Sequence, residues 1–180
     1  MNKKGFSLIE LLAVIIIVGI IGTIGVIAIS SYVGSSRKNA FVTMARNYAD
    51  SASAMRTSDK LPVEPKNNQA LILRVDNLTG VDQTDDYTSV YGELVLDNCY
   101  VAIVNNKHQF SYYVTLVEES GNVIYNTEYS LLDEDSVIEY NDVAGNIINT
   151  RGAVVDLRVS VGNDTYTVVD VKPNYILLQK

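Results

Sequence analysis

The stretch KKGFSLIELLAVIIIVGIIG near the start of the chain places a carboxylate, Glu10, at the head of a long apolar run. From Leu11 to Ile29 no residue is charged, and nearly all are Ile, Leu, Val, Ala or Gly. An acidic side chain at the centre of a membrane helix costs about 2.5–3.5 kcal/mol on insertion scales, and less near an interface. Glu10 therefore calls either for a place at the polar boundary, where it also favours the positive end of the helix dipole, or for a cationic partner. Lys3 and Lys4 lie just upstream, and Phe6 stands four residues before Glu10, on the same side of a helix.

The other residues able to do chemistry are sparse. His108 is the sole histidine; it sits beside the turn residues NNK, no nucleophile–base pair can be built around it from spacing, and it reads as a solvated turn residue. Cys99, in NCYVAIV, is the sole cysteine, so it forms no intrachain disulfide and reads as a small core residue of a strand. Two acidic clusters, Asp76 with Asp82, Asp85 and Asp86, and Asp133 with Glu134 and Asp135, lack the ligand spacing of an EF-hand and read as solvated loop charge. The N-x-[ST] patterns at Asn77 and Asn163 mark exposed loops. No enzyme activity, metal site or cofactor is expected.

The elements that must position these groups follow from pattern. The chain has 180 residues and a formal net charge of −7, which suits one globular domain plus an additional apolar segment. About 19 apolar residues at roughly 1.5 Å each make a helix near 29 Å, long enough to cross a bilayer core. Basic residues stay cytoplasmic, so Lys3 and Lys4 place the bulk of the chain outside. The helical pattern continues past the apolar run, where Phe41, Met44, Ala45, Tyr48, Ala52 and Met55 form one stripe. The helix is expected to end near Ser58, ahead of Pro62 and Pro65. Residues 62–91 read as a long connection holding one short element, ALILRV. Alternating runs then predict strands at YGELVL, CYVAIV, QFSYYVTLV and NVIYNTEYSLL, a further pair at AVVDLRVSV and TYTVVDV around GND, and a last one at YILLQ. Helix stripe and one-sided antiparallel sheet each need an apolar face covered, so the fold class is α+β with the helix laid across the sheet.

The block KKGFSLIEL at the head of an uninterrupted apolar helix resembles the N-terminus of type IV pilins and related pseudopilins, closely over about the first 30 residues and loosely, by element order, beyond them. The resemblance implies a pilin-like architecture in three parts: a leader over residues 1–5, a transmembrane and filament-core helix over 6–36, and an extracellular globular domain over 37–180. It implies cleavage after Gly5 by a prepilin peptidase, N-methylation of the new N-terminal Phe6, and a Glu10 that faces the Phe6 ammonium of an adjacent subunit, the pair within one helix remaining geometrically open. Lys3 and Lys4 would orient the leader on the cytoplasmic side.

The implied partners are the chain itself in a helical homopolymer, the peptidase and methylase, the assembly machinery in the membrane, and lipid before assembly. The implied location is a single-pass cytoplasmic membrane protein that becomes an extracellular pilus serving adhesion, twitching motility or colonisation. A pseudopilin of a type II secretion or competence system shares the same N-terminus, and a single-pass anchor displaying a binding module is a further alternative. Losing Lys3 and Lys4 with the leader takes the charge from −7 to −9, which opposes general nucleic-acid binding. Two departures stand out: no proline precedes Pro62, leaving Gly19, Gly22, Thr23 and Gly25 to soften the helix, and a lone cysteine cannot close a C-terminal disulfide loop.

Overall fold

A single helix, α1 (Leu8–Thr57), precedes eight strands in this computed structural model, which describes residues 7–80 and 87–180, the side chains of 22–31 excepted. The chain divides into two compact units, 1–37 and 38–180. Within the first, every large apolar side chain of α1 from Leu8 to Ile21 is at least 55% exposed. Among the described residues no helix is long and apolar enough to cross a membrane. The apolar stretch with described side chains is roughly 14 residues, about 21 Å, against a bilayer core of about 30 Å. The expectation of a membrane-spanning first half is thus not met among these residues.

In the second unit α1 carries the expected stripe. Phe41, Ala45, Tyr48, Ala52 and Met55 are buried, joined by Val42 and Ala49, with Met44 half-buried beside them. The helix ends at Thr57 through a backbone device rather than a proline: Asp59 adopts φ 56°, its N–H bonds the Arg56 carbonyl, and the Lys60 N–H bonds the Met55 carbonyl at 2.8 Å, a Schellman closure. Arg56 fastens this end to the sheet, its guanidinium 4.1 Å from the Phe110 ring centre and its Nε donating to the Tyr112 hydroxyl.

The strands are β1 (Gln69–Arg74), β2 (Tyr100–Asn106), β3 (Gln109–Val117), β4 (Asn122–Glu128), β5 (Val137–Glu139), β6 (Arg158–Val161), β7 (Asp164–Lys172) and β8 (Tyr175–Gln179). They form one antiparallel sheet in the order β5-β4-β3-β2-β1-β8-β7-β6. The short element expected within the connecting region is β1, a central strand paired with both β2 and β8. YGELVL does not form a strand: it contributes isolated bridges at Glu93 and Leu94 and then a 3-10 turn over Leu96–Asn98. The AVVDL half of AVVDLRVSV lies outside β6, and β5 was not anticipated.

The sheet is apolar on both faces, not one. Leu71 and Leu73 of β1, with Val101 and Ile103 of β2, pack in the helix-side cluster. Their neighbours Ala70, Ile72, Tyr100, Ala102 and Val104 join a second cluster with Val159, Val161, Tyr166 and Val168, because the β6–β7 end of the sheet curls over the back. Asn126 and Gly162 hold that curl by exchanging hydrogen bonds: Gly162 N–H donates to Asn126 Oδ1 at 2.8 Å, and Asn126 Nδ2 donates to the Gly162 carbonyl at 3.2 Å. Gly162 has φ 59°, and a Cβ there would sit 2.7 Å from the Tyr113 ring. Among the described residues one carboxyl group interrupts the core: Glu118 is 2% exposed, its Oε2 accepts from the Ser120 hydroxyl, and its Oε1 is buried without a hydrogen-bond partner. Burial pushes its carboxyl up from 4.5 to about 7, Ser120 pulling weakly the other way.

Two outcomes follow for stability. Gly162→Ala should destabilise the protein by about 2 kcal/mol or more, from left-handed backbone strain plus the clash with Tyr113, seen as a lower thermal midpoint by circular dichroism; an unchanged midpoint would show that the curl does not depend on this contact. Because Glu118 holds its proton more tightly folded than unfolded, its contribution is fully present below about pH 4.5 and lost as the pH rises through about 7. Glu118→Gln should flatten that slope in denaturant titrations, and an identical slope in parent and variant would place the titrating group elsewhere.

Candidate functional site

The start of α1 is built on a reciprocal hydrogen-bond pair. Ser7 N–H donates to Glu10 Oε2 at 2.8 Å, and Glu10 N–H donates to Ser7 Oγ at 3.3 Å. The Ser7 carbonyl also accepts from the backbone N–H of Glu10 and Leu11. This is a capping box: two donors left over at a helix start are satisfied by side chains three residues apart. Glu10 thus has a definite place, with its carboxylate exposed and turned back toward the backbone N–H of Ser7. Ser7 is the site residue that the sequence reading passed over, although the S-x-x-E pattern ahead of an apolar run signals it. Lys3, Lys4, Gly5 and Phe6, the other residues of the expected site, lie outside the described residues.

Behind this start, α1 has no polar side. Leu8, Ile9, Leu11, Leu12, Val14 and Ile15 follow one another around the helix, all exposed, and none belongs to either hydrophobic cluster. A helix apolar all round is one whose surroundings in use are apolar on every side.

The remaining candidates show ordinary structural roles. His108 is exposed in the tight turn after β2, with φ 70° and its N–H bonded to Asn105 Oδ1. Cys99 is fully buried; its Sγ donates to the Val117 carbonyl and accepts from the Val117 N–H, and burial pushes the thiol up to about 12, so it holds its proton. Asp76 pairs with Arg74, Asp133 caps a 3-10 turn through Ser136, and Glu134 accepts from Asn39. Asp82, Asp85 and Asp86 lie outside the described residues. Among the described residues no group of three or more His, Cys, Asp or Glu side chains is placed to hold a metal ion. A cleft of about 540 Å³ is lined by Arg74, Arg151, Lys172 and Tyr175, but its cations are matched: Arg74 and Arg151 meet Asp97, Arg74 also meets Asp76, and Lys172 meets Asp170. It offers no uncompensated charge for an anion.

Residues 1–29 match the family model described as the prokaryotic N-terminal methylation motif. The matched segment holds the basic leader, the Gly5–Phe6 junction, the Ser7–Glu10 box and the apolar run, and it supports a prepilin of the type IV pilin-like kind. The domain behind it has the architecture such a subunit requires, a helix packed on a curled antiparallel sheet. No curated protein and no solved structure matches the chain.

Proposed function

We propose that this chain is the structural subunit of an extracellular type IV pilus, cleaved after Gly5, N-methylated at Phe6 and polymerised through its N-terminal helix. One observation carries the reading: an all-round apolar, exposed helix start is joined to a methylation-motif leader and to a domain that completes its own core. Such a helix needs lipid before assembly and the same helix of other copies afterwards. The run to Ile29 supplies the membrane segment in this reading, with Lys3 and Lys4 on the cytoplasmic side. Prepilin peptidase, methylase and the assembly machinery in the membrane are its partners, and adhesion, surface motility and colonisation are the tasks such a filament serves. A pseudopilin would use the same N-terminus, and long surface filaments made of this chain distinguish the pilus subunit from it.

Cleavage at Gly5 gives Glu10 a second role. Before it, the carboxylate caps α1 through Ser7. After it, an ammonium exists at Phe6, and a carboxylate brought into an apolar bundle with an ammonium of a neighbouring copy is far less costly than either charge alone.

Gly5→Val should leave the leader attached, because a branched side chain obstructs the peptidase cleft that glycine enters freely. Immunoblots of membranes should show only the longer form; normal processing would refute the assignment of the junction. Glu10→Gln is the more discriminating change, since glutamine keeps the capping box but removes the charge. It should be cut and inserted normally yet enter filaments at least about tenfold less well, as should Glu10→Val, because the neighbouring ammonium is left unpaired. Parent-level filament yield from Glu10→Gln, measured in sheared surface fractions, would reduce Glu10 to its capping role.

A further inference from the structure

We propose that Glu118 is a proton-operated latch on one end of the 38–180 unit. With its proton in place, the junction of the 87–98 connection, the β3–β4 turn and the end of β5 stays shut; without it, that junction opens locally while the rest of the sheet stays folded. Such a latch does not require polymerisation. It goes beyond the effect of Glu118 on overall stability, because it names the part of the molecule that gives way.

Glu118 stands at the wall of a cavity of about 200 Å³, lined also by Val95, Asn98, Val117, Glu119, Gly121 and Tyr140. The residue is 2% exposed, its Oε1 has no hydrogen-bond partner, and its Oε2 accepts from the Ser120 hydroxyl at 3.2 Å. A protonated carboxyl tolerates such a place, whereas a carboxylate there lacks the donors that would replace its water. The ionisable groups on the surrounding elements are Glu93 and Asp97 on the connection, Cys99 just ahead of β2, Glu119 next in the chain, and Glu139 and Tyr140 at the end of β5. All are acids. Among the described residues no lysine or arginine lines the cavity, and the two arginines that reach Asp97, Arg74 and Arg151, are engaged with it. A charge formed on Glu118 therefore meets no cation and must be met by water.

The junction is the part that can yield. One isolated bridge, Leu94 opposite Glu118, ties the connection to the end of β3, with Val95 N–H donating to the Val117 carbonyl at 2.8 Å and Glu119 N–H to the Glu93 carbonyl at 3.1 Å. On the other side Tyr140 N–H donates to the Gly121 carbonyl at 2.8 Å, just beyond the short β5. Separating these segments breaks few bonds, whereas β1, β2 and β3 pair along the whole length of β2. Burial holds the carboxyl at about 7 in the shut form, against the ordinary 4.5 that an opened, hydrated one regains. The opening constant thus rises with pH between those two values and levels off outside them.

The test is amide hydrogen exchange in the full-length chain held in detergent, with the parent and Glu118→Gln followed side by side from about pH 4.5 to about pH 7. Glutamine keeps the size and shape of the protonated acid, so the variant folds as the shut form does. In the parent the Val95, Glu119 and Tyr140 amides should be at least about tenfold less protected than those of Leu71 and Ile103 at each pH. Corrected for the intrinsic pH dependence of exchange, their protection should fall roughly a hundredfold across the range. In Glu118→Gln the same three amides should hold one level of protection throughout. Equal protection at the junction and in the central strands would mean that the proton leaves only on global unfolding, and it overturns the proposal. So does a fall in protection that survives in Glu118→Gln, or the absence of any fall in the parent.

Discussion

An apolar helix surface with no place in its own protein's core is the constraint on which the other features depend. From Leu8 to Ile21 the large side chains of α1 are exposed and belong to neither hydrophobic cluster. At about 25 cal/mol per Å² of apolar area, leaving so many branched aliphatic residues in water is strongly unfavourable, so this segment exists to be covered by something else. The Ser7–Glu10 box suits that need. It satisfies donors at the helix start with the protein's own side chains, which matters most where water is scarce.

The domain that follows can be displayed only if it asks nothing of that segment, and its packing shows how this is met. Helix stripe and front sheet face form one core, the curled β6–β7 end and back face another, so β1 and β2 are buried on both sides. Without a disulfide, packing carries the stability, aided by local fasteners: Arg56 on Phe110 and Tyr112, and Asn126 on Gly162. Glu118 works against this arrangement, a carboxyl held in the core whose burial raises its pKa to about 7 and so disfavours its charged form.

Most of what was legible in the sequence had one wet and one dry side, the doubly buried β2 being marked instead by its β-branched residues and the turn after it. The amphipathic stripe from Phe41 to Met55 announced the helix, and alternation between turn residues gave β3 and β8 their bounds. ALIL did not announce a central strand, because a segment buried on both faces has no period to read. YGELVL alternates like a strand, but it touches the end of β3 and the turn after it only briefly, Val95 N–H donating to the Val117 carbonyl and Glu119 N–H to the Glu93 carbonyl, while Leu94 N–H donates to the Tyr87 carbonyl, before it closes into a 3-10 turn. Nor did alternation show that AVVDL would stop short of β6, since Asp156 turns the backbone out of the strand conformation. At the helix start, residue type and spacing drew notice to Glu10, but its hydrogen-bond partner Ser7 emerged only with the geometry.

The position of β8 imposes an order of events on the life of the molecule. Tyr175–Gln179 lies between β1, the first of the eight strands, and β7, so the sheet has a gap at its middle until residues 175–179 are in place. Contacts joining residues about a hundred apart close slowly, and no partial chain can imitate them. A chain in which β8 has not yet joined therefore lacks its central ladder, and completion of the domain waits on that strand. Strand β8 works as a keystone: until it is in place, the two arms of the sheet have no ladder between them.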